Sequence, residues 1–176
     1  MEIETPRLKF RKYKNDDFNY LYSLLSDPEM VRYIGEGNIK DKQETNRFFK
    51  WIYSTYNVGP DMGLMVLESK GDNSPIGHAG LVPQTVDGVE ELEIGYWVSR
   101  DHWGKGYATE AAQALKDYGF NHLDKNRLVS LIQPNNIASK KVADKIGMNF
   151  DKEIVLQDHK VHIHSILKDN YFDIDS

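Results

Sequence analysis

The sequence contains no cysteine. Disulfides, thiolate zinc sites and a cysteine nucleophile are excluded together, and a cytoplasmic setting suits a chain that uses no disulfide. Long apolar runs are missing too. The longest is four residues, Leu64–Leu67, against the roughly 20 that a membrane-spanning helix needs, so no membrane is expected as a partner. The opening MEIETPRLKF lacks the apolar core of a secretion signal. Positive charge is not in excess either. Lys and Arg number 22 against 27 Asp and Glu, for a net charge of −5. A broad nucleic-acid-binding face usually needs the opposite balance, so no nucleic acid is expected as a partner. Internal repeats and low-complexity tracts are absent. What is left is 176 residues at 40% hydrophobic content, the size and composition of one domain, residues 1–176, with a real core.

Apolar periodicity divides the chain into alternating elements. Residues 5–13 alternate Leu8 and Phe10 with Arg7, Lys9 and Arg11, a strand pattern. Asn15 is placed to cap a helix with Phe18, Leu21, Leu24 and Leu25 on one stripe. Pro28 ends that helix or starts a short second one. Residues 41–57 repeat aromatics at helical spacing. Three strands follow, 63–69, 76–86 and 89–98, with KGDNSP and VDG as turns. Gly104 to about Leu123 is helical, 127–133 is a central strand, and Asn136–Ile146 is a helix with Gly147 at its C-terminal cap. Strands 149–156 and 160–167 close the chain around QDHK. The plan is a mixed α/β arrangement around one sheet, with strand–helix–strand crossovers in the second half.

The most informative stretch is EIGYWVSRDHWGKGYATEA, Glu93–Ala111. A strand ends near Val98, and Gly104-Lys105-Gly106 leads at once into a helix. Two glycines let the backbone turn sharply and meet a ligand without a Cβ in the way. The unpaired N–H groups of a first helical turn carry partial positive charge, so the arrangement can cradle phosphate. Thr109 adds a hydroxyl and Lys105 a charge. No position fits a Walker A loop. A Rossmann turn needs a small residue where Thr109 stands and an acid ending the next strand, whereas Asp124 precedes that strand. IQPNNIASKKVADKIGM, Ile132–Met148, repeats the strand–turn–helix pattern. Asn135 or Asn136 caps its helix, Ser139 lies in the first turn, and Lys140, Lys141 and Lys145 gather there. An acidic chain that concentrates lysines at two helix starts meets a polyanion at that place.

These stretches together resemble the GNAT superfamily of acyl-CoA-dependent N-acetyltransferases, and most of all the RimJ/RimL-like branch that acetylates ribosomal-protein N-termini. The resemblance runs from TPRLKFRKY through EIGYWV and WGKGYATEA to NNIASKKVADKIGM. The family's phosphate loop, [QR]-x-x-G-x-[GA], falls on Trp103, Gly104, Lys105, Gly106, Tyr107 and Ala108. Trp103 departs from Gln or Arg at the first position. The cradle uses backbone N–H groups, so the departure costs little, and Trp-Gly-Lys-Gly also occurs in this branch.

The resemblance implies a GNAT-like α/β fold, a mostly antiparallel central sheet splayed at the cofactor site and flanked by helices. It implies acetyl-CoA as co-substrate, with no metal. Backbone amides from Gly104 to Thr109 would hold the pyrophosphate. The strand end at Tyr96, Trp97 and Val98 would pair with the pantetheine amides as an added strand does, and would bring a backbone N–H near the thioester oxygen. Asn136 would bond the pantetheine arm and Ser139 would lie near the sulfur. The acceptor would be an amine, either a protein N-terminus, ribosomal protein included, or a small molecule. Transfer then needs deprotonation of an ammonium with a reference pKa of about 10, an oxyanion contact and a proton for the thiolate. Glu93 is the candidate base, through water, and Ser139 the candidate acid. Many family members use a tyrosine on the helix after Asn136, but Ile137–Met148 contains none; proximity and a backbone contact then carry more of the catalysis. An acyl-CoA-binding module without catalysis and a nucleotide-binding domain are the alternative readings. A homodimer is a generic expectation.

The remaining candidates have plain structural readings. His162 and His164 share a strand face with His159 nearby, but no third metal ligand is evident. His78 reads as a packed strand histidine near the substrate cleft, and His102 as a loop residue. Trp51, Tyr53 and Tyr56 read as core. Asp27, Glu29 and Glu36 read as surface charge, with an acceptor site for a cationic amine as the other use.

Overall fold

Two tight turns set much of the sheet. Asp87 and Gly88 both take positive φ, 49° and 78°, the type I′ geometry whose twist suits a hairpin. They join β3 (Pro75–Val86) to β4 (Val89–Val98). The register then runs back from Val86↔Val89 through Val82↔Glu93 to Gly77↔Val98. Gln157 and Asp158, at 49° and 64°, turn β6 (Asn149–Leu156) into β7 (His159–Leu167) in the same way.

The computed structural model describes residues 2–172; the ends of the 1–176 span, Met1 and residues 173–176, lie outside the described residues. With β1 (Leu8–Lys12), β2 (Gly63–Ser69) and β5 (Arg127–Ile132), the strands form one sheet of seven in the order β1-β2-β3-β4-β5-β7-β6. Every neighbouring pair is antiparallel except β4 and β5. Those two are parallel and are joined by helix α4 (Tyr107–Asn121), the kind of crossover a parallel pair needs. Helix α5 (Ile137–Lys145) carries the chain from β5 to β6, one strand further out. Helices α1 (Phe18–Leu25), α2 (Pro28–Val31) and α3 (Lys42–Tyr56) precede β2, and α6 (Lys168–Phe172) follows β7. No helix of the described residues is long and apolar enough to cross a membrane.

The helix starts follow capping chemistry. Asp41 accepts from Glu44 N–H at 2.7 Å and Glu44 accepts from Asp41 N–H at 3.0 Å, a reciprocal box that starts α3. Asp27 accepts from Glu29 N–H at 3.0 Å ahead of Pro28. Asn15 does not cap the first helix as its position predicts. Residues 15–17 form a 3₁₀ turn, and Asp17 takes the Lys14 N–H at 2.7 Å instead. Arg11 explains the exchange. It holds both Asp17 oxygens, at 2.7 and 2.9 Å, and Glu68 at 2.5 Å, which fixes Asp17 against β1.

The sheet has a core on each face. On one, Ala111, Ala112, Leu115 and Phe120 of α4 and Ala143 of α5 bury Leu81, Ile94, Leu128 and Ile132. On the other, Leu21, Leu25, Phe49 and Ile52 cover Leu64, Val66 and Val82. Each of the larger of these side chains contributes about 1.5–3 kcal/mol when fully buried. A smaller cluster of Val86, Val129, Ile154, Val161 and Ile163 lies beneath the last strands.

Candidate functional site

The site begins where the sheet parts. The register between β4 and β5 is Glu93↔Val129, although β4 continues to Val98 and β5 to Ile132. Just past that rung, the Ser130 hydroxyl donates to Ile94 O at 2.9 Å. Beyond it a cleft of about 820 Å³ opens between Glu93–Val98 and Ser130–Gln133. Ser99 N–H donates to Ile76 O at 2.8 Å, so by the alternation of an antiparallel ladder Tyr96 and Val98 turn their peptide groups away from β3 and toward the gap. The cleft passes through this gap from one face of the sheet to the other.

On the α4–α5 side the glycine turn is built as the sequence implies. Gly104 and Gly106 take φ of 73° and 79°, a region that costs other L-residues about 1–2 kcal/mol. Gly106 is the N-cap of α4, and the first turn of the helix closes with Glu110 N–H on Gly106 O at 3.0 Å. The N–H groups of Tyr107, Ala108 and Thr109 are therefore the free ones of the first turn. A Cβ at Gly104 would meet no atom within 4 Å, so the outer side of the loop is open space. The loop is braced from behind. Glu110 accepts from Arg7 Nε at 2.6 Å, Arg7 N–H at 3.0 Å and Thr5 Oγ1 at 2.5 Å, while Arg7 Nη1 donates to Lys105 O at 2.8 Å. Burial alone would raise the Glu110 carboxyl; Thr5 and Arg7 overcome it and hold the carboxyl below its usual value. Trp103 has a use the motif does not predict. Its indole Nε1–H donates to Val98 O at 2.7 Å and closes the end of β4.

The second helix start lies across the gap. Asn136 accepts from Ser139 N–H at 3.2 Å and caps α5, which decides between Asn135 and Asn136. Ser139 is half-buried on the cleft wall, and its carbonyl accepts from the buried Tyr96 hydroxyl at 2.8 Å. Burial pushes that hydroxyl well above the usual tyrosine value. Lys141 and Lys145 line the cleft. Lys105 folds back, with its ammonium on Asp101 O at 3.2 Å.

On the α1–α3 side Glu93 is half-buried on the wall. Burial pushes its carboxyl up, against hydrogen bonds from the Gln84 side chain and the Leu131 N–H. The Gln84 contact is 2.7 Å. Gln84 was not anticipated, yet counting back from the Asp87–Gly88 turn pairs Gln84 with Glu91 and Val82 with Glu93 on one face, which makes Gln84 a diagonal neighbour of Glu93. Trp51 corrects the sequence expectation. It is 39% exposed and lines the cleft, because it extends α3 one turn beyond Phe48 along the same face. Phe48 packs 5.2 Å from Trp51 and 5.8 Å from Trp97. Of the early acids, Glu29 lines the cleft, Asp27 pairs with Arg100 at 3.1 Å, and Glu36 receives Asn38 at 3.2 Å. Gln133, also unanticipated, donates to Gly35 O at 2.8 Å and ties the loop after α2 to the end of β5.

The histidines separate. His78 is fully buried behind Trp97, with Nδ1 2.6 Å from the Tyr13 hydroxyl, and burial lowers it to about 3. His102 lines the cleft and contacts the Ser99 hydroxyl at 2.8 Å. His162 pairs with Glu153 at 2.9 Å, whereas His164 is buried beside it in sequence. Among the described residues no group of three metal-ligating side chains occurs.

Residues 7–149 match the family model described as the Acetyltransferase (GNAT) domain. The chain is 38% identical over 154 residues to YkkB of Bacillus subtilis, covering 87% of this chain and 88% of that protein. It is 32% identical over 178 residues to the N-acetyltransferase p20 of Bacillus licheniformis, covering 96% and 97%. Among solved structures, a GNAT-family acetyltransferase from Bacillus anthracis superposes with a TM-score of 0.79 at 27% identity, covering 96% of this chain and 99% of that one. The fold alone is shared with the ribosomal-protein acetyltransferase RimL in complex with coenzyme A, at a TM-score of 0.75, 16% identity and coverage of 93% and 95%. The same holds for the Vibrio cholerae spermidine N-acetyltransferase in complex with CoA and spermine, at 0.75, 17% identity and coverage of 96% and 98%.

Proposed function

Because the chain belongs to the GNAT acetyltransferase family, which it matches over residues 7–149, we propose that it is an acetyl-CoA-dependent N-acetyltransferase, one domain over 1–176 working in the cytoplasm. The observation that carries this reading is a single cleft that joins a glycine-built helix start, a parted strand edge and a carboxyl held above its usual value.

The residues present fit acetyl-CoA. Open space at Gly104 and the free N–H groups of Tyr107, Ala108 and Thr109 suit a pyrophosphate. Gly106 gives the loop its left-handed turn, and Lys141 and Lys145 bring positive charge to the cleft of an acidic chain, with Lys105 on the loop itself held back on Asp101 O. The peptide groups of Tyr96 and Val98, with Trp97 between them, offer a strand edge to a pantetheine arm, and Asn136 faces that arm from α5. Val98 O is already engaged by Trp103, so the pairing falls to Tyr96 and to the Val98 N–H. When bound, acetyl-CoA supplies an activated acyl group: the amine nitrogen forms a bond to the carbonyl carbon, the carbon–sulfur bond breaks, and the thiolate takes a proton.

Deprotonation of the amine is the chain's main chemical task. For a small alkyl amine with a reference pKa of about 10, roughly one in a thousand is neutral at pH 7, and for an N-terminal amine of about 8, about one in ten. Glu93 removes the proton through water. Its raised carboxyl places the base nearer the working pH than an exposed carboxylate would be. The Ser139 hydroxyl donates toward the sulfur, and Tyr96 positions it by holding its carbonyl. The acceptor is a primary amine of a protein N-terminus or of a small molecule.

Thermal unfolding with acetyl-CoA tests the reading, with NAD and ATP as controls. Ligand at 100 times its Kd stabilises by about 2.7 kcal/mol, a Tm rise of roughly 5–10 °C for a chain of this size. No rise with acetyl-CoA, or a rise with NAD, refutes it. Release of free thiol on adding an amine separates a working transferase from a module that only binds.

A further inference from the structure

On the acceptor side β4 presents Glu93, Gly95 and Trp97 in succession to one face. Gly95 has no side chain, so a bay lies between the carboxyl and the indole. Its floor is Leu64 and Val82, whose methyl carbons sit 3.5 and 3.7 Å from where a Gly95 Cβ would be. Strand rise separates the Glu93 and Trp97 Cα atoms by about 13 Å. Trp97 continues into Phe48, tilted only 25° from it, and then into Trp51, so one end of the bay is a wall of three rings. The other end is a carboxyl.

We infer that the acceptor is a small arylalkyl monoamine, its flat apolar body over Gly95 against the Trp97–Phe48–Trp51 wall and its nitrogen at Glu93. The inference rests on the transferase reading above and names its substrate class. Charge supports it. The carboxylates lining the cleft are Glu93 and Glu29, and Glu29 pairs with Arg32 at 3.6 Å. That leaves one carboxylate for one cationic nitrogen, whereas a polyamine carries several. Size supports it too. Gln133 ties Gly35 across to β5, so the loop after α2 closes part of the cleft wall, and the cleft has room for a small body rather than a folded partner. Aromatic contact in such a site is worth up to about 1.5 kcal/mol per pair.

The experiment compares phenethylamine, n-butylamine, spermidine and a short peptide with a free N-terminus by thiol release, beside the Tm shift with acetyl-CoA. The expected order puts phenethylamine first in kcat/KM by roughly tenfold or more, the factor that 1.4 kcal/mol supplies. Gly95→Ala fills the bay. Its Cβ makes only ordinary contacts of 3.5 Å and beyond, so the variant is expected to fold, keep its acetyl-CoA shift and lose roughly tenfold on phenethylamine. Trp51→Ala, at a partly exposed position, lowers phenethylamine kcat/KM in the same direction. Amine binding also reads in fluorescence, because Trp51 and Trp97 are two of three tryptophans. Preference for spermidine or the peptide, or a Gly95→Ala variant as fast on phenethylamine as the parent, overturns the substrate class and leaves the transferase reading standing. Absence of any acetyl-CoA shift overturns that reading, and the inference with it.

Discussion

Replacing Gln84 by leucine tests whether Glu93 is the group that limits the reaction in acid. The Gln84 amide donates to the Glu93 carboxylate at 2.7 Å, in a place where burial pushes that carboxyl up and this hydrogen bond pulls it down. Leucine keeps most of the volume and removes the donor. The charged carboxylate loses a partner while the neutral acid loses little, so the carboxyl rises further. At any pH on the acid limb a larger fraction of Glu93 is then protonated and idle. A hydrogen bond to a charged group contributes about 1.5–3 kcal/mol. At about 1.4 kcal/mol per factor of ten, Gln84→Leu is slower by roughly ten- to a hundredfold on the acid limb, and the loss shrinks toward the alkaline plateau. The assay is thiol release at saturating acetyl-CoA, with amine concentration expressed as free base so that ionisation of the acceptor drops out. Glu93→Gln provides the reference, with the acid limb gone and the plateau down by about 10²–10⁴. An acid limb that stays in place in Gln84→Leu means that another group titrates there. A limb that moves to lower pH means that the sign of the electrostatic argument is wrong.

Three further outcomes follow from the geometry. Gly106→Ala forces a Cβ residue to φ 79° and lowers stability by about 1 kcal/mol or more, a Tm drop of roughly 2–4 °C by differential scanning fluorimetry. Asp17→Asn breaks the paired contact with Arg11, worth about 2 kcal/mol in urea unfolding at neutral pH. Burial alone would raise the Asp17 carboxyl, but Arg11 and the Lys14 N–H hold it below its usual value. The stabilisation is therefore present above the ordinary carboxylate range and is lost as pH falls through the lowered value, where parent and variant converge. Tyr96→Phe removes the donor to Ser139 O, costs about 1 kcal/mol, and speeds hydrogen exchange at the start of α5.

The elements and their order were readable in the chain, because periodicity and turn chemistry report on local backbone. VDG and QDHK are turns in the structure, and the strand of 89–98 has the bounds its alternation predicts. The glycine turn ahead of α4 was readable for the same reason, since positive φ at Gly104 and Gly106 is a property of those residues. The hydrogen-bond partner of Glu93 was readable only by counting. Gln84 is ordinary in its own strand; it lies nine residues before Glu93 and meets it through the register fixed at the Asp87–Gly88 turn. Trp51 was misjudged because helical spacing shows which residues share a face, and does not show whether sheet or cleft lies opposite. Asn15 has good capping chemistry, but Asp17 is anchored by Arg11 from β1, a contact between separate elements that no local pattern encodes. Gln133 on Gly35 is of the same kind.

The one rung between β4 and β5 has a mechanical consequence. Tension across the sheet from β1 to β6 converges on Glu93↔Val129 and on the Ser130 hydroxyl at Ile94 O, while every other seam is stitched along several residues. The sheet is two stiff plates with a narrow hydrogen-bonded bridge, backed on one face by α4 and α5. On the proposed acetyl-CoA reading, an extended arm in the opening that pairs with Tyr96 would add stitches where the plates have fewest, so stiffness would rise with supply of the acyl donor and fall as each spent carrier leaves. Pulled from its two outer strands in an optical trap, the sheet is expected to part at the bridge first, with a yield force that rises with the concentration of coenzyme in the buffer if the proposed reading holds.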